Sequence, residues 1–359
     1  MKKTIAMLAG DGIGPEVMTQ AQRVLDAIAQ KFGHHFTYLP ALIGGAAFDV
    51  HGTHFPDETL AVCKQADAIL FGSVGGPINE QHLPKWQGCE AKSLLSLRKA
   101  FQFNTNIRPA KVYRALQAIC PLKDRIIANG IDVMIFRELL GDLYFGKHET
   151  TTVNGVRQAQ DQALYDEQQI RAILHPAFKA AQQRKGKLHS VDKANVLDTS
   201  KLWRVVANEV AAEYPEVELE HMLVDNCAMQ LITNPSQFDV IVTSNMFGDI
   251  LSDAAAVLPG SLGLMPSASL NDQGFGMFEP SGGSAPDIAG QDKANPIAQI
   301  LSAAMMLRYS FGLEQEATAI EQAVETALAQ GARTQDIASA DNPALGTIAM
   351  ACHVLSTLG

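Results

Sequence analysis

The sequence predicts an α/β protein of two domains with a mixed sheet and one protruding β-arm. Three observations carry this expectation. At 359 residues the chain has room for about two cores of roughly 150 residues each. Short runs rich in β-branched residues alternate with amphipathic stretches, the pattern of strand segments joined by helical crossovers. One stretch breaks the alternation: 146–162 is polar and Thr-rich, lacks a helical period and carries Asn154-Gly155 at its centre.

Taken in order, strands are expected at Thr4–Leu8, Ala68–Phe71, Ile131–Phe136, Lys187–Val191, Val217–Val224 and Asp239–Thr243. Helices are expected at Glu16–Lys31, Asp57–Ala66, Glu167–Gln183, Ser200–Tyr214 and Gly248–Val257, and almost continuously after Pro296. Asn-Gly between extended flanks is a strong hairpin signal, so 146–162 reads as the arm, either a bare surface hairpin or a contact to a second copy. Lys2-Lys3 before an apolar run imitates a leader peptide, but Asp11 ends the run after about seven residues, and a first strand is the better reading.

Composition excludes several functions. The net charge of −10 and the lack of a basic run argue against nucleic acid, so an anionic ligand would need its own arginine cluster. No window approaches the roughly 18 apolar residues of a membrane span. Five scattered cysteines without a Cys-x-x-Cys pair point to neither a disulfide framework nor a zinc site, and fit a reducing cytoplasm.

In open α/β sheets ligands bind beyond the carboxyl ends of strands, and polar residues gather there. Arg137 and Glu138 follow Phe136, with Tyr144 shortly beyond; Asp192, Lys193 and Asn195 follow Val191; Asp225 and Asn226 follow Val224; Ser244, Asn245, Asp249 and Asp253 follow Thr243. Asp249 and Asp253, four apart on a helix, share one face and could hold Mg²⁺ or Mn²⁺, with Asp225 completing the set. The alternative is that Asp249 merely favours the helix N-terminus and Asp253 is solvated. Arg98, Arg108 and Arg137 flank apolar segments, and each reads equally as a structural ion pair or a carboxylate clamp, Glu138 being the adjacent partner for Arg137. Gly10, Gly12 and Gly14 imitate a dinucleotide fingerprint, but Pro15 stands where its last glycine is required, so the fold is non-Rossmann and Pro15 opens a helix. Glycines at Gly72–Gly76 and Gly282–Gly290 are turns or places of close approach to a cofactor. No Gly-x-Ser-x-Gly elbow or His-Glu-x-x-His pair supports other hydrolytic chemistries.

Nine segments together resemble the β-decarboxylating dehydrogenases, the isocitrate/isopropylmalate dehydrogenase family, nearly end to end. They begin at Gly10-Asp-Gly-Ile-Gly-Pro-Glu16, Leu94-Leu-Ser-Leu-Arg98, Asn106-Ile-Arg-Pro-Ala-Lys111, Arg137-Glu-Leu139 and Tyr144-Phe-Gly146. They continue through Asp192-Lys-Ala-Asn-Val196, Asp225-Asn226, Ser244–Asp253 and Gly283-Ser-Ala-Pro-Asp-Ile-Ala-Gly290. The resemblance implies a two-domain fold, with 1–99 plus 253–359 binding cofactor and 100–252, including the arm 146–162, binding substrate and dimerising. It implies NAD-dependent oxidative decarboxylation of a malate-type acid through a metal-stabilised enolate. Arg98, Arg108 and Arg137 would bind the substrate's carboxylates, Asp225, Asp249 and Asp253 would hold Mg²⁺ or Mn²⁺ against it, and Lys193 and Tyr144 would move protons. Gly76, Glu90, Gly283, Ser284, Ala285, Asp287, Ile288 and Asn295 would contact NAD, Asp287 favouring it over NADP. Leu94 and Leu95 offer an apolar surface where isocitrate enzymes carry polar residues, so isopropylmalate is the expected substrate and 4-methyl-2-oxopentanoate, a leucine precursor, the product. The partner implied is a second copy of the chain, each active site sharing Lys193 and Asp225 across the dimer. Two departures stand out: Leu140 and Asp142 replace a Thr and a Gly common in relatives just before Tyr144, and Gly282 replaces a His.

Overall fold

A computed structural model describes residues 1–359. It contains twelve strands: β1 (Lys2–Gly10), β2 (His35–Pro40), β3 (Ala68–Ser73), β4 (Thr105–Lys111), β5 (Asp132–Glu138), β6 (His148–Val153), β7 (Val156–Asp161), β8 (Lys187–Asp192), β9 (Glu218–Leu223), β10 (Val240–Thr243), β11 (Pro266–Leu270) and β12 (Gly276–Pro280). The chain divides into two units, one of residues 1–102, 113–120 and 259–359 and one of residues 103–112 and 121–258. The division falls at Pro259 rather than at residue 253 because the Asn245–Ala256 helix stays whole in the second unit, and 113–120 belong to the first.

In the first unit the strand order is β2-β1-β3-β12-β11, parallel except for the antiparallel β11/β12 pair. All six residues of β3 are buried, as a parallel strand covered on both faces requires. The Gly14–Phe32 helix turns Val17, Ala21, Val24, Leu25 and Ile28 inward at helical spacing and ends at left-handed Gly33. The Ile297–Tyr309 helix is buried from Ile297 through Leu307, apolar almost all round because it packs on β11, β12 and the Gly14–Phe32 helix at once. The mixed strand directions agree with the mixed sheet expected from the sequence.

In the second unit the order is β4-β5-β10-β8-β9, with β4 antiparallel to β5 and the rest parallel. The Glu167–Gln183 helix starts with a capping box between Asp166 and Gln169. The Asp198–Ala211 helix buries Trp203, whose Nε1 donates to Ser190 Oγ at 3.2 Å and whose ring meets the Tyr165 edge. β6 and β7 form a separate antiparallel hairpin, Val153 opposite Val156, with Asn154 and Gly155 both at positive φ. Almost every residue of that hairpin is exposed. No helix is long and apolar enough to cross a membrane, and all five cysteines are free.

Candidate active site

The antiparallel register of β4 and β5 sets Asn106 opposite Arg137 and Arg108 opposite Ile135, so both arginines lie on the same sheet face, diagonally across the strand pair. That face meets the Asn245–Ala256 helix. The approach is close because residue 248 is glycine: a Cβ there would sit 2.6 Å from Arg137 Cγ and 2.7 Å from its Cβ. Arg137 is buried, and its guanidinium donates from Nε and Nη2 to Asn245 Oδ1 at 3.0 and 2.9 Å and from Nη1 to Asp249 Oδ1. Arg108 donates from Nη1 to Asp253 Oδ1 at 2.8 Å and to Ser252 Oγ at 2.9 Å, and from Nε to Asn106 Oδ1 at 3.0 Å.

Tyr144 reaches the same helix. Its hydroxyl donates to Asp249 Oδ2 at 2.8 Å, and the Arg137 guanidinium lies 5.6 Å from its ring centre. Burial and the neighbouring Asp249 carboxylate raise the phenol's pKa above its ordinary value, so the group holds its proton at neutral pH. Asp249 is the fifth residue of its helix, beyond the N-terminal turn, and both its oxygens are engaged by Arg137 and Tyr144; helix-end preference does not explain it. Glu138 is not the partner of Arg137 either. Its buried carboxyl accepts from Leu140 N at 2.6 Å, Gly141 N at 2.8 Å and Tyr165 OH at 2.8 Å, while burial drives its pKa up.

Lys193 and Asp225 form a separate pair, Nζ to Oδ1 at 2.7 Å, and the lysine holds the Asp225 carboxyl below its ordinary range. Within one chain Asp225 does not join Asp249 and Asp253, since no three His, Cys, Asp or Glu side chains converge on a common point. Asp249 and Asp253 supply hard carboxylate oxygens from one helix face, which suits Mg²⁺ or Mn²⁺, but two protein ligands from a single chain leave such a site half built.

The first unit carries Arg98, Leu94 and Leu95. Arg98 is buried, its Nη2 3.4 Å from Glu279 Oε1. Leu94 and Leu95 close a π-helical turn, Ala91–Leu95, a rare geometry that tends to occur at functional sites, and Leu95 is exposed. This unit also holds a cavity of about 400 Å³, lined by Ile13, Gly283, Ala285, Ile288, Ala294 and Asn295 among others. The Gly10–Gly14 loop serves that cavity by close packing. A Cβ on Gly12 would lie 1.9 Å from Ser284 O, and Ile13 N donates to that same carbonyl at 2.8 Å. Asp11 ties the neighbouring segments together, its carboxylate accepting from Gly45 N, Ala46 N and Gly75 N at 2.8 to 3.0 Å. Gly76 packs under Trp86, where a Cβ would come within 2.2 Å of the indole, and an added Cβ at Gly75 would lie 3.5 Å from the Glu90 carboxylate. Asp287 is exposed. Sequence reasoning missed Asp336, which lines the cavity and accepts from Asn295 Nδ2 at 3.0 Å and from Ser261 Oγ; no motif marks it.

Arg137 and Tyr144, joined to Asp249, and Arg108, joined to Asp253, gather two guanidinium groups, a phenol and two carboxylates on one helix face of a non-Rossmann mixed α/β fold. The isocitrate/isopropylmalate dehydrogenase family model matches residues 4–354, and the chain belongs to that family. It is an oxidoreductase. It is 55% identical over 347 residues to the 3-isopropylmalate dehydrogenase of Pectobacterium atrosepticum, covering 96% of this chain and 95% of that one. It is 54% identical over 357 residues to the 3-isopropylmalate dehydrogenase of Desulfotalea psychrophila, covering 99% and 100%. Among solved structures, isocitrate dehydrogenase from Methylococcus capsulatus superposes with a TM-score of 0.86 at 32% identity, covering 99% of each chain. A β-decarboxylating dehydrogenase from Thermococcus kodakarensis gives 0.81 at 33%, covering 99% of this chain and 96% of that one.

Proposed function

We propose that the chain oxidises and decarboxylates 3-isopropylmalate with NAD⁺ and Mg²⁺ or Mn²⁺ as a cytoplasmic homodimer, forming 4-methyl-2-oxopentanoate for leucine biosynthesis. The observation that carries this reading is the joining of Arg108, Arg137 and Tyr144 to Asp253 and Asp249 on one helix face. The planar forks of Arg108 and Arg137, with Arg98, match carboxylate groups. Asp249 and Asp253, with Asp225 of a second copy, would hold the cation, which would supply Lewis-acid polarisation of the substrate's hydroxyl oxygen, and the cavity of the first unit would hold NAD⁺ as the hydride acceptor. Lys193 takes up the hydroxyl proton. After CO₂ leaves, Tyr144 gives its hydroxyl proton to the carbon that lost CO₂. The substrate thus gives up one hydride, one proton and CO₂, and regains one proton.

The first unit is the cofactor-binding domain in this reading. Its 400 Å³ cavity contains Gly283, Ala285, Ile288 and Asn295, four of the residues expected to meet NAD, with Gly76, Glu90, Ser284 and Asp287 on the same or neighbouring loops. The second unit binds substrate and dimerises. Met229 and Ile232 on the Val224–Thr233 helix and Ile250 on the adjoining one are exposed large apolar side chains, which a second copy would cover. The bare β6–β7 hairpin is marginal alone, since two strands without a core gain little by pairing. In this reading a second copy supplies Lys193 and Asp225 to the site of Asp249 and Asp253.

The preference for isopropylmalate over isocitrate rests on Leu94 and Leu95, worth about 1 to 3 kcal/mol of discrimination. The test is NADH formation from each acid with Mg²⁺. Isopropylmalate should be the better substrate, excess EDTA should stop turnover, and NADP⁺ should serve poorly because Asp287 would repel its 2′-phosphate. A higher kcat/KM for isocitrate, or turnover that survives EDTA, would overturn this function.

A further inference from the structure

The turn between β5 and the arm reaches Tyr144 through Asp142, a residue that breaks two local rules. Its φ is +69°, a conformation in which Asp is one of the few tolerated non-glycine residues, and it is buried although charged. Both facts have one explanation in its carboxylate. Oδ2 accepts from Met246 N at 3.0 Å and Oδ1 from its own neighbour Leu143 N at 2.9 Å.

Met246 N is one of the donors that open the Asn245–Ala256 helix, the helix that carries Asp249 and Asp253. The residue in the capping position, Ser244, makes no side-chain capping bond; its buried hydroxyl has no partner at all, and the helix has no acidic residue in its first turn. The cap is supplied from elsewhere in the chain. A carboxylate on helix N–H groups is also favoured by the helix dipole. The turn is pinned to the helix beside this bond, where Asn245 Nδ2 donates to Gly141 O at 3.1 Å. From the other end of the same short turn, the Asp142 carbonyl accepts from Gly146 N at 3.2 Å, which closes the loop around Tyr144.

We infer that Asp142 is a positioning residue: by capping the Asn245–Ala256 helix from the Tyr144 turn, it fixes the proton-donating tyrosine and the two metal-facing aspartates relative to one another. Its carboxylate bonds run to Leu143 N and Met246 N, so it acts through Tyr144 and Asp249. The inference rests on the proposed roles of those two residues, whereas the cap itself does not.

Three variants separate the possibilities. Asp142→Gly keeps the left-handed backbone but removes both carboxylate bonds. Asp142→Asn keeps the backbone and an oxygen that can accept from Met246 N, but removes the charge. Asp142→Ala loses the bonds and strains the turn as well. Two readouts are taken on the full-length protein: kcat and KM for isopropylmalate with NAD⁺ and Mg²⁺, and amide hydrogen exchange of the segment 244–250 without ligands. The glycine variant should lose about tenfold in kcat with KM held within about twofold, since the arginines stay in place. Exchange across 244–250 should quicken by several-fold in the glycine variant, and the asparagine variant should return both readouts most of the way. Alanine should resemble glycine or be worse. Wild-type exchange at 244–250 in the glycine variant would overturn the cap, and wild-type kcat would overturn the positioning role. Equal losses in Asn and Gly would overturn it too, by showing that charge and not the hydrogen bond is needed. If the wild-type protein proves inactive on isopropylmalate, the functional reading fails, while exchange still decides the cap.

Discussion

Arg137 shows at the level of one side chain how the site reaches its geometry. A guanidinium buried at the end of β5 needs full satisfaction, and Asn245 and Asp249 give it three charge-assisted bonds from a single helix. In doing so Arg137 orients the carboxylate that also receives the Tyr144 hydroxyl. Tyr144 itself is 43% exposed, so its contribution to folding is small and its contribution to chemistry can be isolated. Tyr144→Phe removes one oxygen and leaves the ring beside Arg137. We expect kcat to fall by about 10²-fold or more, with KM within about twofold and the melting temperature unchanged. A fall confined to KM would show that the hydroxyl only helps to bind substrate.

At the scale of elements, the site depends on one helix packing unusually close to one strand. Gly248→Ala places a methyl group 2.6 Å from Arg137 Cγ and 3.2 Å from Arg137 Cα, so either the helix or the strand must give way. Overpacking of this kind costs about 1 to 3 kcal/mol, and here it also displaces the Arg137 fork. A lowered melting temperature together with a raised KM for the malate substrate should therefore appear in one variant. A stable Gly248→Ala protein with normal KM would mean that the helix shifts freely. The sequence reveals this helix and most strands because short apolar runs such as Ala-Ile-Leu-Phe in β3 are buried on both faces. It hides β4, β11 and β12 for reasons of composition, and β2, His-Phe-Thr-Tyr-Leu-Pro, is missed although its residues favour a strand. β4 is polar and contains Pro109, which demotes a run to non-strand; β11 is Pro-Ser-Ala-Ser-Leu, and β12 begins at a glycine. Contact with the buried Ile297–Tyr309 helix, not local propensity, holds the last two in place. Site residues follow the same division. Arg137 and Lys193 stand at strand ends, and Asp249 lies on the helix that follows β10, so all three are visible from the order of elements. The partner of Arg137 was not visible, because Glu138 is adjacent in sequence while Asp249 is adjacent in space, and Asp336 has no neighbouring motif to mark it.

At the scale of the whole molecule, the chain bonds Tyr144 to Asp249 and Lys193 to Asp225 as two separate pairs, which the proposed function assigns to one active site. If a two-fold dimer joins the first pair of one subunit to the second pair of the other, the two active sites are related by exchange of chains. Lys193→Ala and Tyr144→Phe would each then spoil both sites of their own homodimers. Unfolded and refolded as an equal mixture, half of the dimers should be mixed. In each mixed dimer one site combines the intact Tyr144 of one chain with the intact Lys193 of the other, and the second site carries both lesions. One working site in two, in half of the dimers, gives about a quarter of wild-type activity by symmetry counting. A site built within a single chain predicts no recovery. Activity that stays at the background of the parent proteins, in a mixture whose heterodimers are verified by mass, would place Lys193 outside the shared site.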